Sequence, residues 1–195
     1  VASEDYSIKY SKKTLNQLLE LCKDSDLIGI SSYASTSIRT IQVIKSLKKL
    51  NKPLVWGGVH ATISPEDCIK YLDIVAIGEG ELVMLELASK LENKKDITDI
   101  KNLWVRKNNK IYKNPVRPYI EALDKLPFPD YDIEDHYILD GKIRKFQERD
   151  FSGQIFFLTG RGCPNSCTYC SNKALKQIYL NKGKILRWHS PDYII

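Results

Sequence analysis

PLVWGG (53–58) and DIVAIGEGE (73–81) decide the fold, because each is a short apolar run that ends in glycines. A run of this kind, without polar alternation, is the pattern of a strand buried on both faces. LIGIS (27–31) has the same character upstream. Helical stripes lie between these runs. Leu15, Leu18, Leu19 and Cys22 recur at i, i+3, i+4 and i+7, Ile38, Ile41, Ile44 and Leu47 form a second stripe, and Leu82, Leu85, Ala88 and Leu91 a third. Ser64-Pro65-Glu66-Asp67 predicts a further helix start, with serine as the cap, proline in the first turn and acids at the positive end of the dipole. The succession βαβαβα predicts an α/β domain built on a parallel, doubly wound sheet.

Past residue 94 the pattern changes. NLWVRKNNKIYKN (102–114) predicts a hairpin turning at Asn108-Asn109, and PVRPYIEALDKLPFPDYD (115–132), with four prolines, predicts an extended linker. A new unit starts near Phe151, where QIFFLTGRGC (154–163) reads as a strand running into a glycine-rich loop. The expected division is a Rossmann-like domain over 1–94, a hairpin and linker over 95–150, and a third segment over 151–195.

Composition narrows the class. Of 195 residues, 43% are apolar and 28% charged, as in ordinary globular proteins. No stretch approaches the roughly 20 apolar residues of a membrane span, and VASEDYSIKY at the start lacks the apolar core of a secretory signal. The net charge is +6, but the lysines are scattered as pairs at 12–13, 48–49 and 94–95, which reads as solvated helix faces and not as a nucleic-acid surface. Five cysteines without a signal argue against a disulfide framework and for a reducing, cytoplasmic setting. Val1 is not a methionine, and SPDYII (190–195) reads as a helix that has just begun, so the chain is expected to be a fragment of a longer protein.

The chemistry concentrates in Gly160-Arg161-Gly162-Cys163-Pro164-Asn165-Ser166-Cys167-Thr168-Tyr169-Cys170, a C-x3-C-x2-C run. Iron–sulfur clusters are held by thiolates, usually four to a cubane, so three on one loop leave one iron open for a ligand. A zinc site would show paired C-x2-C knuckles, and His189 is its one candidate fourth ligand; a ferredoxin would show more cysteines, and none follows Cys170. Three thiols clustered by chance are the bland alternative.

The run resembles the signature of the radical S-adenosylmethionine (SAM) superfamily. That resemblance implies a 4Fe–4S cluster on Cys163, Cys167 and Cys170, SAM chelated at the open iron, and Tyr169 against the adenine. It also implies cleavage of SAM to methionine and a 5′-deoxyadenosyl radical. GGVHAT (57–62) followed by DIVAIGEGE is similar to the cobalamin-binding domain that precedes the radical domain in one large subfamily. LDKLPFPDYD (123–132) resembles that subfamily's linker, and RWHSPDYII (187–195) its entry to the first barrel helix. The implied architecture is a cobalamin-binding Rossmann-like domain, lacking its first strand and helix, followed by the start of a partial (β/α) barrel. The implied partners are a small-molecule substrate and an electron donor such as flavodoxin or ferredoxin. Methyl transfer to an unactivated substrate leads, with a radical oxidative cyclase, or a cofactor-binding module without radical chemistry, as alternatives.

Elementary physics also directs a ligand to the same glycines. Open parallel sheets bind ligands beyond the carboxyl ends of their strands, near the switch point. Ser31, Ser32, Gly57, Gly58, Gly78 and Gly80 fall there, and His60 and Glu79 border them, so these eight are the candidate cobalamin contacts. For His60 a structural role in a βα loop competes, and for Glu79 and Glu81 the helix dipole does. The D-x-H-x-x-G motif that ligates cobalt from below in many such domains is absent: the histidines are His60, His136 and His189. Cys22 and Cys68 sit on helical patterns and read as core residues.

Overall fold

Period-two alternation sorts the strands' side chains onto two faces, and helices cover both. The computed structural model describes residues 9–130, 133–140, 142–151 and 157–195. In chain order it gives α1 (Lys12–Cys22), β1 (Ile28–Ser31), α2 (Ser37–Leu47), β2 (Leu54–Gly57), α3 (Gly58–Ile63), α4 (Pro65–Cys68), β3 (Ile74–Ala76) and α5 (Glu81–Glu92). Then come β4 (Leu103–Lys107), β5 (Lys110–Lys113), β6 (Tyr137–Asp140), β7 (Lys142–Lys145), β8 (Gly160–Arg161), α6 (Ser171–Ile178), β9 (Arg187–Trp188) and α7 (Pro191–Ile194).

The five-stranded sheet runs β1-β2-β3-β4-β5, with the first three strands parallel and β4 and β5 antiparallel. Leu54, Trp56 and Val75 face one way, into a core with Ile44 and Leu47 of α2, Ala61 of α3 and Cys68 of α4; Leu18, Leu19 and Cys22 of α1 close it. Val55, Ile74 and Ala76 face the other way and meet Val83 and Leu87 of α5. Cys22 and Cys68 therefore are core residues, and burial pushes the Cys68 thiol up to about 12.

Three expectations change. LIGIS was read as buried on both sides, but among the described residues β1 is the sheet's outer strand, and Gly29 and Ser31 are exposed. An edge position leaves one flank of a strand unpartnered, which a local apolar pattern does not register. The strand order is monotonic, so the described sheet has no switch point, and the carboxyl edge alone gathers the glycine loops. The 102–114 hairpin does turn at Asn108-Asn109, both in the left-handed region (φ 51° and 59°) that a two-residue type I′ turn needs. It is no part of a linker, however: Val75 pairs with Trp104 and Ala76 with Leu103, so the hairpin extends the sheet.

The Ser64 cap is also not made. Its hydroxyl forms no capping bond, α4 is a single turn, and a separate helix, α3, already starts at Gly58. The β6–β7 hairpin was not anticipated; its Ile143 N–H reaches Gln17 of α1 at 3.4 Å. Of the expected strand over 154–163, residues 154–156 lie outside the described residues, as do 131–132 of the linker. What is described is a short antiparallel pairing of β8 with β9. The turn at SPDYII is real: Ser190 Oγ accepts from Tyr193 N–H at 3.2 Å to cap α7.

Two tests follow from this packing. Gly58 has φ +85°, and a Cβ there would lie 2.9 Å from Ser32 N, whereas among the described residues nothing lies within 4 Å of a Cβ on Gly80. Gly58→Ala should cost about 2–4 kcal/mol in urea unfolding, and Gly80→Ala no more than about 0.5 kcal/mol. Asp150 accepts two bonds from Arg144, each 2.7 Å, and this guanidinium holds its carboxyl down at about 2. A depressed carboxylate adds stability above its unfolded value of about 3.9 and loses it as the pH falls toward 2. Carbon-detected NMR should place the Asp150 midpoint near 2, and Arg144→Ala should return it to the ordinary range.

Candidate cofactor site at the carboxyl edge of the sheet

Close approach of three turns builds the edge. With φ +85°, Gly58 lets the β2–α3 turn sit against the end of β1; a Cβ would lie 2.6 Å from Ser31 Oγ. Ser31 is exposed, whereas Ser32 is buried: its hydroxyl accepts from the Trp56 indole N–H at 2.9 Å and its carbonyl from His60 N–H at 3.2 Å. His60 lies in helix α3, not in a loop, and its ring leans on Trp56 at 5.4 Å. Thr62 joins the second turn to the third, donating to Gly58 O at 2.8 Å and accepting from Gly78 N–H at 2.9 Å. Ser31, Ser32, Gly57, Gly58, His60 and Gly78 thus come together, while Gly80 opens onto free space.

The Glu79 carboxylate lines the same cavity as those turns and bonds to the later part of the chain. Its Oε1 accepts from Arg187 Nη1 at 2.7 Å and from Arg161 Nη1 at 3.3 Å, and its Oε2 from Ile120 N–H at 2.9 Å. Glu81 accepts from Arg161 Nη2 at 2.6 Å. Burial pushes the Glu81 carboxyl up, but the Arg161 hydrogen bond and the two cations outweigh it and leave the group below the usual carboxylate range. The Arg187 side chain is only 4% exposed and lies over the Tyr119 ring at 4.3 Å; that ring stacks on Tyr179 at 4.0 Å. The Tyr179 hydroxyl in turn accepts from Glu79 N–H at 2.8 Å, and a side chain on Gly78 would collide with it. Both Glu79 oxygens are therefore engaged by protein groups.

Arg161, Arg187, Tyr119, Tyr179 and Thr62 escaped the reading of the sequence. One signal was present: 151–190 contains six lysines and arginines and no aspartate or glutamate, so it must find its counter-charges elsewhere.

The cysteine loop follows directly. Gly162, at φ +93°, passes so close to Ile185 O that any side chain would strike it, and Gly160 lies flat against Trp188. Lys176 of α6 ties down the loop's backbone, donating to Pro164 O at 2.9 Å and Asn165 O at 2.7 Å. Cys163 and Cys170 are half-buried, Cys167 is exposed, and all three are free thiols. Among the described residues no three His, Cys, Asp or Glu side chains converge as a metal-holding group. Tyr169 is 91% exposed. Three free thiols on one loop are nevertheless the donor chemistry that a cluster takes, so the residues fit that group. A cavity of about 240 Å³ lies between the two halves, with Gly58, Thr62 and Gly78 on the sheet side and Cys163, Lys176 and Tyr179 on the loop side. No helix among the described residues is long and apolar enough to cross a membrane.

Residues 7–88 match the B12 binding domain family. The chain is 32% identical over 93% of its length to an uncharacterized methyltransferase of Pyrococcus horikoshii, PH0819, and spans 38% of that protein. It is 29% identical over 75% of its length to the cobalamin-dependent radical SAM methyltransferase TokK of Streptomyces tokunonensis, spanning 22% of it. Its fold overlays 90% of the chain on 36% of TsrM from Kitasatospora setae, a radical SAM methyltransferase solved with cobalamin and a [4Fe–4S] cluster, at a TM-score of 0.62 and 17% identity. The B12-binding match falls on the Rossmann-like sheet and its helices, and over most of its length the chain is similar to cobalamin-dependent radical SAM methyltransferases.

Proposed function

We propose that this chain is the cofactor-binding part of a cobalamin-dependent radical SAM methyltransferase, with cobalamin on the sheet's carboxyl edge and a 4Fe–4S cluster on Cys163, Cys167 and Cys170. The observation that carries the reading is the shared cavity: glycine turns of a B12-binding sheet form one wall and the first cluster cysteine lies in the other. When bound, the cluster supplies the electron that splits SAM into methionine and a 5′-deoxyadenosyl radical, and cobalamin supplies the methyl group.

The chain's own residues prepare the site. Gly57 and Gly58 clear backbone from the end of β2, and Ser31 offers a hydroxyl at the exposed rim. Lys176 fixes the loop between Cys163 and Cys167 through two carbonyls. Tyr169 stands in solvent, free to cover an adenine. The relatives' printed activities favour methyl transfer over a radical oxidation. The electron is assigned to a flavodoxin or ferredoxin and the setting to the cytoplasm. Because the chain spans 38% of its Pyrococcus relative, the substrate site is assigned to the part of such a protein that these residues do not cover. This chain alone should bind cofactors without turnover.

Anaerobic reconstitution with iron and sulfide should give about four of each per chain, and serine at Cys163, Cys167 or Cys170 should abolish it. Zinc retained without acid-labile sulfide would instead make the loop a zinc site. Hydroxocobalamin should bind, and Ser31→Tyr, at an exposed position, should weaken it about tenfold or more, near 1.4 kcal/mol, without changing the circular dichroism; unaltered affinity would move cobalamin off this edge. Mass spectrometry of the iodoacetamide-treated apoprotein should show Cys167 modified first, Cys163 and Cys170 later, and Cys68 only on unfolding. Cluster loading should protect the first three.

A further inference from the structure

We infer that Glu79 is a positioning residue that sets the cluster loop at a fixed distance from the cobalamin edge; the inference rests on the functional reading above. Its polar atoms bind four points of the later chain. The carboxylate takes Arg161 of β8, Arg187 of β9 and the Ile120 N–H of the connecting stretch, and the backbone N–H takes Tyr179 after α6. Arg161 precedes Cys163 by two residues, about 7 Å of extended chain, so movement of its guanidinium passes directly into the cluster loop. On the other side Glu79 follows Gly78, which Thr62 ties to Gly58. A continuous bonded line therefore runs from the cobalamin turn through Glu79 to the first cluster cysteine.

Stability alone is a poor account of this arrangement. Buried ion pairs offset desolvation only when every polar atom is satisfied, and replacing them by apolar residues is often neutral. Here Arg187 Nε and Glu81 Oε2 are buried without a hydrogen-bond partner among the described residues. What a forked cation against a two-oxygen acceptor does provide is direction and registry. Glutamine at position 79 tests this without removing volume. Its NH2 must face either the guanidinium groups or the Ile120 N–H, so one half of the joint opens while the shape stays.

The test uses the full-length protein loaded with cobalamin and cluster. When the cluster is reduced by one electron, its spin broadens the EPR signal of cob(II)alamin by an amount set by their separation. Glu79→Gln should load cobalt and iron at wild-type stoichiometry, yet lose the uniform broadening of the wild type. Arg161→Lys, which keeps the charge but not the fork, should do the same, and it carries the test if Glu79→Gln does not fold. Glu86→Gln, which breaks the α5 pair with Arg117 well away from the loop, should leave the broadening intact. Unchanged broadening in a fully loaded Glu79 or Arg161 variant would overturn the positioning role alone. Loss of cobalamin from Glu79→Gln with the cluster retained would also overturn it, by making Glu79 part of the cobalamin site. A wild type that takes up no iron, sulfide or cobalamin would instead overturn the functional reading beneath it.

Discussion

A buried guanidinium needs an anion within reach, and for Arg187 that anion is Glu79, one turn beyond the last parallel strand of the sheet. The side chain of Arg187 is almost wholly removed from water, so an uncompensated charge there would cost several kcal/mol. The segment that carries the cysteines can consequently seat only where the β3–α5 turn presents its carboxylates. Stacking of Tyr119 between Arg187 and Tyr179 adds apolar contact to the same spot, and Tyr179 closes over Gly78, where no larger residue would leave it room. Electrostatics thus selects the place, and the aromatic pair fills it.

The glycines act through geometry. Gly58 and Gly78 both have positive φ, and both sit where a neighbouring element comes close enough to exclude a Cβ: the end of β1 in one case and Tyr179 in the other. Gly162 repeats the device against Ile185 at the entrance to the cysteine loop. Three left-handed turns, each forced by a close approach, bring the sheet edge and the loop to opposite walls of one cavity. Replacing any of them would move backbone, not only a side chain, which is why the site belongs to the fold and not to a decoration of it.

Much of this was legible before any coordinates. Strands 54–57 and 74–76 announce themselves by apolar runs, the helices of 12–22, 37–47 and 81–92 by their stripes, and the type I′ turn by two successive asparagines. These signals are local, spanning a few residues. Strand order is not local: nothing in LIGIS tells an edge strand from a central one, and nothing in 102–114 says that the hairpin pairs with β3. The same holds for the joint. Glu79 and Arg161 stand 82 residues apart and Glu79 and Arg187 stand 108 apart, so each looks by itself like an ordinary exposed charge. Gly-Glu-Gly-Glu reads as a glycine turn with helix-dipole acids until the arginines are seen.

Charge bookkeeping along the chain explains why the joint takes this form. The acid-free stretch 151–190 holds six basic residues, equal to the whole protein's excess of +6, so the remainder is balanced. Two of the six, Arg161 and Arg187, are answered by the carboxylates of the B12-binding domain, and a third, Lys176, by carbonyls within the cysteine loop. An acid in this stretch would offer the arginines a local partner and remove their need for Glu79. Keeping acids out of the stretch therefore leaves the arginines to find their counter-charges in the carboxylates of the β3–α5 turn.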